Sequence, residues 1–285
     1  MNANVKVSFF LKNPVSCPVC SLSFRKEEML SGGGRLIARD ITDELRRMYE
    51  PSKKAGEVFP LVYPVNVCPG CLYAAYSEDF GVILQQQVDA AYAQSIKRRR
   101  DVGMLFPVLD FNAPRNLFTG TASYLLAISS YSFHKKERAP TFKKAISALR
   151  AAWLLGELHQ RYPGQNYDQV QLLFYRKAMR YYDLVVGYAQ SGVERIDAVK
   201  HYGPDLDKNF GFEGVLFIAS LLAFKYGDQG TREERISRLE KAKRTASRVF
   251  GSGKSSRNKP SSIIDLSRDL FERINARIEE IRKEG

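Results

Sequence analysis

The cysteines constrain this chain more than any other feature. All four fall into two C-x-x-C pairs, Cys17-Pro18-Val19-Cys20 and Cys68-Pro69-Gly70-Cys71, with 47 residues between them. Two thiolates spaced by two residues sit on one tight turn and present both sulfurs to one ion. Two such turns complete the tetrahedral sulfur set that Zn²⁺ prefers. A proline in each pair stiffens the turn and lowers the entropy lost on presenting the thiolates. Four sulfurs leave no coordination position for water or substrate, so the expected zinc is structural. It would supply on the order of 10 kcal/mol to a module too small to rely on its own core. Two other readings stay open: unrelated redox or buried cysteine pairs, and iron on C-P-x-C knuckles in a rubredoxin-like electron carrier.

Paired cysteines of this kind are metal ligands more often than disulfides in a reducing compartment, and the rest of the chain fits that setting. The start alternates Val5, Val7, Phe9, Leu11 with Lys6, Ser8, Lys12, a strand pattern rather than a secretory signal. The longest apolar runs, such as Val215 to Phe224, stop short of a membrane span. A cytoplasmic protein without a membrane span is expected. Within the 285 residues, 44% are hydrophobic and 26% charged, which allows a sizeable core.

Up to residue 76 the signals are those of strands and turns. After the alternating start come a Ser31-Gly32-Gly33-Gly34 turn, short strands at 35–39 and 58–67, and a short helix at 40–50 ended by Pro51. From Ser77 the period becomes 3.6: Phe80, Ile83, Leu84, Val88, Ala91, Tyr92 and Ile96 predict one connecting helix over 77–105, closed by the Lys97-Arg98-Arg99-Arg100 cluster. Further helices are expected at about 116–136, 141–162, 167–190, 210–227, 231–250 and 263–283 from their Gly and Pro punctuation. Thr231 with Glu234, and Ser262 with Asp265, supply caps for two of them. The expected fold class is α+β: a small β-rich zinc-ribbon-like module (1–76), the connecting helix (77–105), and an all-α tetratricopeptide-like domain (106–285). Ala145, Ala148, Ala151 and Ala152 at helical spacing suggest paired helices, although Trp153, Leu155 and Gly156 sit one residue out of the repeat's register.

The run Cys17-Pro-Val-Cys20, then Asp40 to Tyr49 before Pro51, then Tyr63-Pro-Val-Asn-Val-Cys68-Pro-Gly-Cys71-Leu-Tyr73-Ala74-Ala75 and Asp79-Phe80, resembles a bacterial family, domain of unknown function twenty-two twenty-five. The resemblance implies a zinc-ribbon-like N-terminus followed by tetratricopeptide-like helices, and no biochemical activity. Where that family carries glycine after each knuckle, this chain has Ser21 and Leu72. Either those residues adopt a left-handed conformation, at about 1 kcal/mol or more for Leu72, or the turns differ.

Net charge is +13 and the pI about 9.5, with ten bases against three acids between Thr231 and Lys259. Arg235, Arg238, Lys241, Lys243, Arg244, Lys254, Arg257 and Lys259 are therefore candidate contacts for nucleic acid or another anionic partner; the alternative is a solvated helix face. Tyr175, Tyr181, Tyr182 and Tyr188 with Arg176 and Arg180 fit a helical core better than a base-stacking surface. Ser31 to Arg35 is a loop rather than a phosphate cradle, since no Gly-Lys-Ser/Thr follows. His134, His159 and His201 read as surface histidines. No positioned nucleophile and base, carboxylate pair or cofactor fingerprint points to an enzyme. The function these observations suggest is a zinc-binding adaptor that takes a protein or peptide on its helices. The alternatives are a nucleic-acid-binding protein and the iron electron carrier.

Overall fold

The computed structural model describes residues 5–106, 108–197, 199–251 and 261–283. The chain is α+β, with four antiparallel strand pairs preceding a run of helices. β1 (Ser8–Phe10) pairs with β4 (Glu27–Met29), and inside that hairpin β2 (Val15–Ser16) pairs with β3 (Ser23–Phe24). Alternation predicted Val7 and Phe9 facing inward. Instead Ser8 is buried, because its hydroxyl donates to the buried Glu27 carboxylate. β7 (Val65–Val67) and β8 (Ala74–Tyr76) form the second knuckle's hairpin and are buried throughout.

Between these hairpins the expected helix at 40–50 does not form. Residues Ile37–Ile41 make β5 and Arg47–Glu50 make β6, paired across a tight turn from Thr42 to Leu45. Leu45 takes a left-handed φ of 60° and is buried. The periodicity of 40–50 is helical, but burying Glu44 and Leu45 at the hairpin tip overrides that local preference.

Residues 77–105 also depart from one continuous helix. They form a turn, a 3₁₀ turn at Gln85–Gln87, then α1 (Val88–Ala93) and α2 (Ser95–Gly103). Neither helix start has a side-chain cap. Tyr92 and Ile96, two members of the predicted stripe, are 54% and 81% exposed, while Phe80, Ala91 and Val102 are buried. The break at Gln94 turns α2 so that Arg98, rather than Ile96, faces the interior.

The remaining helices fall close to their expected positions: α3 (Leu117–Ser130), α4 (Pro140–Arg161), α5 (Tyr167–Ser191), α6 (Gly211–Tyr226), α7 (Arg232–Phe250) and α8 (Ser261–Lys283). Asn116 caps α3 and Thr231 caps α7, each in a reciprocal box with the third helical residue. Ser262 is no cap, because α8 already includes Ser261. Glu194, from beyond α5, caps α4 through the Thr141 amide (2.8 Å) and hydroxyl (2.8 Å). Each helix from α3 to α8 packs on its neighbour in sequence. In α8, Ile263, Leu270, Ile274, Ile278 and Ile281 make the single buried stripe.

α3 joins the two parts by packing on β7, β8 and the 3₁₀ turn Pro60–Val62. Gly120 permits this: a Cβ there would lie 2.5 Å from Val62 Cγ1. Tyr124 then reaches the Leu61 carbonyl at 2.6 Å. One buried apolar cluster runs without interruption from Cys17 and Cys68 through α4 to α8. No helix among the described residues is long and apolar enough to cross a membrane.

Candidate metal centre and helical groove

Each C-x-x-C pair sits at a hairpin tip and is wound by the same two backbone bonds. The Cys17 amide donates to the Leu22 carbonyl and the Ser21 amide to the Cys17 carbonyl; Cys68 pairs likewise with Tyr73, and Leu72 with Cys68, all at 2.9 Å. Closing these turns requires a left-handed residue after each second cysteine. Ser21 (φ 61°) and Leu72 (φ 56°) adopt it despite carrying side chains.

The two knuckles bring all four sulfurs within 4.8 Å of one another. Cys17 Sγ lies 3.6 Å from Cys71 Sγ, and Cys20 Sγ 3.5 Å from Cys68 Sγ. Four thiolates bound at about 2.3 Å around one ion would stand roughly 3.8 Å apart, so the cluster fits a tetrahedral ion. The spacing and chemistry suit a single thiophilic metal. Without a cation the sulfurs cannot share negative charge equally. Cys17 falls to about 4 because the Cys68 and Cys71 thiols hydrogen-bond to it, and the hydrogen bonds of Cys71 to Cys17 and Cys68, together with burial, push the Cys71 thiol up. A divalent ion resolves that conflict by holding all four as thiolates.

Two arginines of the basic cluster, expected only to complement a helix end, serve this centre. Arg98 is buried and donates from Nε (3.2 Å) and Nη2 (2.8 Å) to the Cys71 carbonyl. Arg99 donates to the Gly70 carbonyl at 2.8 Å. A divalent ion on four thiolates leaves two net negative charges, and a buried cation on a ligand residue's own carbonyl offsets part of them. Sequence showed the bases but not their target, since the turn that aims Arg98 inward is a tertiary feature.

A second constellation, missed in the sequence, surrounds Glu44. Its carboxylate is buried and accepts from Trp153 Nε1 (2.6 Å) and the Tyr175 hydroxyl (2.9 Å) on one oxygen. The other oxygen accepts from Lys225 Nζ (2.9 Å) and the Tyr226 hydroxyl (3.2 Å). Donors from α4, α5 and α6 thus converge on one side chain of the β5–β6 hairpin tip. Lys225 also pairs with Asp43 at 2.8 Å. No local pattern singles out Glu44 from the acids around it.

Tyr226 also lines a cavity of about 200 Å³ between α5, α6 and α7. Met179, Val186, Ala219 and Ala223 supply its apolar wall, and Arg180, Arg238 and Lys241 its cations. Of the predicted basic contacts, several are engaged within the chain. Arg238 donates to the Gly227 and Gln229 carbonyls and closes the end of α6. Lys241 pairs with Asp183 at 2.5 Å, and Lys243 donates to Asn275. Arg235 and Arg244 have no side-chain partner among the described residues. Lys254, Arg257 and Lys259 lie outside the described residues. Tyr175 and Tyr182 are buried, as the core reading expected.

His134 is not a surface residue. It is buried against Tyr131, with Nε2 2.9 Å from the Tyr73 hydroxyl, and burial pulls it down to about 4. A cavity of about 480 Å³ beside it is lined by Glu78, Asp79, Arg138, Lys143 and His201. Its central Lys143 is already held by both Glu78 and Asp79, so that charge is satisfied internally.

Comparison with known proteins gives a family match over most of the chain. The family described as "Uncharacterized protein conserved in bacteria (DUF2225)" matches residues 10–274. A protein of Borreliella burgdorferi, described as "Uncharacterized protein", is 36% identical over 97% of this chain and 99% of its own length. No solved structure matches the chain. The chain therefore belongs to this bacterial family, as its knuckle sequences suggested.

Proposed function

We propose that the chain is a metal-stabilised adaptor of the bacterial cytoplasm. Zinc on Cys17, Cys20, Cys68 and Cys71 holds a ribbon-like module (1–76), and residues 77–105 connect it to a tetratricopeptide-like helical part (106–285) that takes a protein or peptide. The observation that carries this reading is the groove between α5, α6 and α7, which joins an apolar wall to a cation, Arg180, with no partner among the described residues. Sequentially packed helices generate grooves of this kind, suited to extended ligands. Four sulfur ligands leave the ion no open position, which supports a structural rather than catalytic metal. The engagement of Lys241 with Asp183 and of Lys243 with Asn275 weighs against those two side chains as a footprint on phosphates.

Two measurements test the reading. Elemental analysis of untagged protein is expected to give one zinc per chain, lost in Cys68→Ser; coloured, reducible iron would support the electron carrier instead. Selection of random 12-residue peptides against the metal-loaded chain is expected to enrich binders for the wild type. It should not do so for Thr245→Trp, which fills the groove from its edge. Enrichment unaffected by that substitution would remove the helical groove from the function.

A further inference from the structure

We infer that the partner segment is acidic: the α5–α6–α7 groove reads carboxylates set among apolar side chains. This rests on the adaptor reading and names the chemistry of its ligand.

The groove's charge supports the first half. Its lining carries three cations, Arg180, Arg238 and Lys241, against one acid, Asp183. Asp183 is matched by Lys241. Arg238 donates to two carbonyl oxygens and has no acidic partner among the described residues, and Arg180 has no partner among them. Two guanidiniums without an acidic partner among the described residues therefore line a small cavity beside apolar side chains, an arrangement complementary to carboxylates.

The chain also shows how these helices hold such a group. At one end of the groove the acidic hairpin tip Asp43-Glu44 is seated on α4, α5 and α6, and Tyr226 belongs both to that seat and to the groove lining. Hydroxyl, indole and ammonium donors surround the Glu44 carboxylate, and Asp43 beside it shares the Lys225 ammonium. The groove continues the same row of donors beyond Tyr226 as Arg238 and Arg180, with room that the hairpin does not fill.

A peptide fits this surface better than nucleic acid. The groove wall is aliphatic apart from Tyr226, and that ring is already stacked on Tyr175 at 4.2 Å between centroids. The lining therefore offers at most one face of one ring, not the series of rings on which successive nucleobases stack.

The test uses the metal-loaded full chain and the same random 12-residue peptide library, with the enriched pool sequenced and the best peptides measured by fluorescence anisotropy. The pool is expected to contain about twice the starting fraction of Asp and Glu, alongside aliphatic residues, with binding that weakens as salt rises. Arg180→Glu changes an exposed side chain and is expected to weaken those peptides about tenfold without lowering the thermal midpoint. Groove-dependent peptides that are neutral or basic, or that ignore Arg180→Glu, would overturn the acidic assignment and leave the adaptor reading standing. No peptide enrichment, or enrichment that Thr245→Trp does not abolish, would overturn both. Tight binding of a random single-stranded 20-mer DNA that Arg180→Glu weakens, without peptide binding, would transfer the groove to nucleic acid.

Discussion

Replacing Glu44 by alanine isolates the contact that ties the β5–β6 hairpin to the helices. The carboxylate takes four hydrogen bonds, two on each oxygen. Lys225 would keep Asp43, but the buried Trp153 N–H and the Tyr175 hydroxyl would lose their acceptor. An orphaned buried donor costs about 1–3 kcal/mol, and breaking a buried charged contact about 3–5 kcal/mol in all. At roughly 2 °C per kcal/mol for a chain this large, Glu44→Ala should lower the midpoint by about 6–10 °C. Glu44→Gln retains the volume and one carbonyl, and either tyrosine hydroxyl can rotate to accept from the new amide. Its cost should be only about 1–2 kcal/mol. Because Trp153 is the only tryptophan, its emission reports the cage directly while circular dichroism follows the helices. A double-mutant cycle with Trp153→Phe should give a coupling of about 1.5–3 kcal/mol. Equal midpoints for the alanine and glutamine variants, with no coupling to Trp153, would refute the view that this carboxylate is held by its four donors.

Three further outcomes follow from the same geometry. Arg98→Met should preserve the helices but weaken metal binding about 10–100-fold in a chelator competition, because it removes the donors on the Cys71 carbonyl; unchanged affinity would make Arg98 a packing residue. Ser21→Gly should stabilise by about 0.5–1 kcal/mol in urea unfolding, by relieving an exposed left-handed residue. Leu72→Gly should destabilise by about 2–4 kcal/mol, because the lost burial exceeds the relief of strain. His134 is neutral in the folded chain and drops from an ordinary 6.5 to about 4, so its stabilisation is complete above pH 6.5 and declines as pH falls toward 4. The full loss is about 3 kcal/mol. His134→Gln should flatten the thermal midpoint between pH 7 and 5.5, and an unchanged slope would assign that dependence elsewhere.

The parts of the fold that were legible rest on strong local chemistry. A cysteine pair spaced by two residues has few uses, so the meeting of the four sulfurs at one point could be read before any geometry was known. The resemblance to a family with glycine after each knuckle left two alternatives for Ser21 and Leu72, a left-handed conformation or different turns, and both residues adopt the first. From α3 onward the helices are amphipathic or wholly buried and bounded by Gly and Pro, and Thr231 with Glu234 formed the predicted capping box. Errors fell where two tendencies competed. Residues 40–50 have a helical pattern, but the pull of the Trp153, Tyr175, Lys225 and Tyr226 donors on Glu44 favours a hairpin. The stripe over 77–105 looked continuous because Tyr92 and Ile96 are apolar, although neither is buried.

The sequence by itself determined the sulfur set, the order of a β-rich start and helical remainder, and the basic balance, because each depends on residue type and short-range spacing. Only the tertiary structure decided that Arg98 supports a knuckle, that His134 is buried, that Arg238 closes α6, and that Glu44 joins the two parts. Those roles depend on donors and acceptors as far apart as Glu44 and Tyr226 meeting in space, and no local periodicity encodes that meeting.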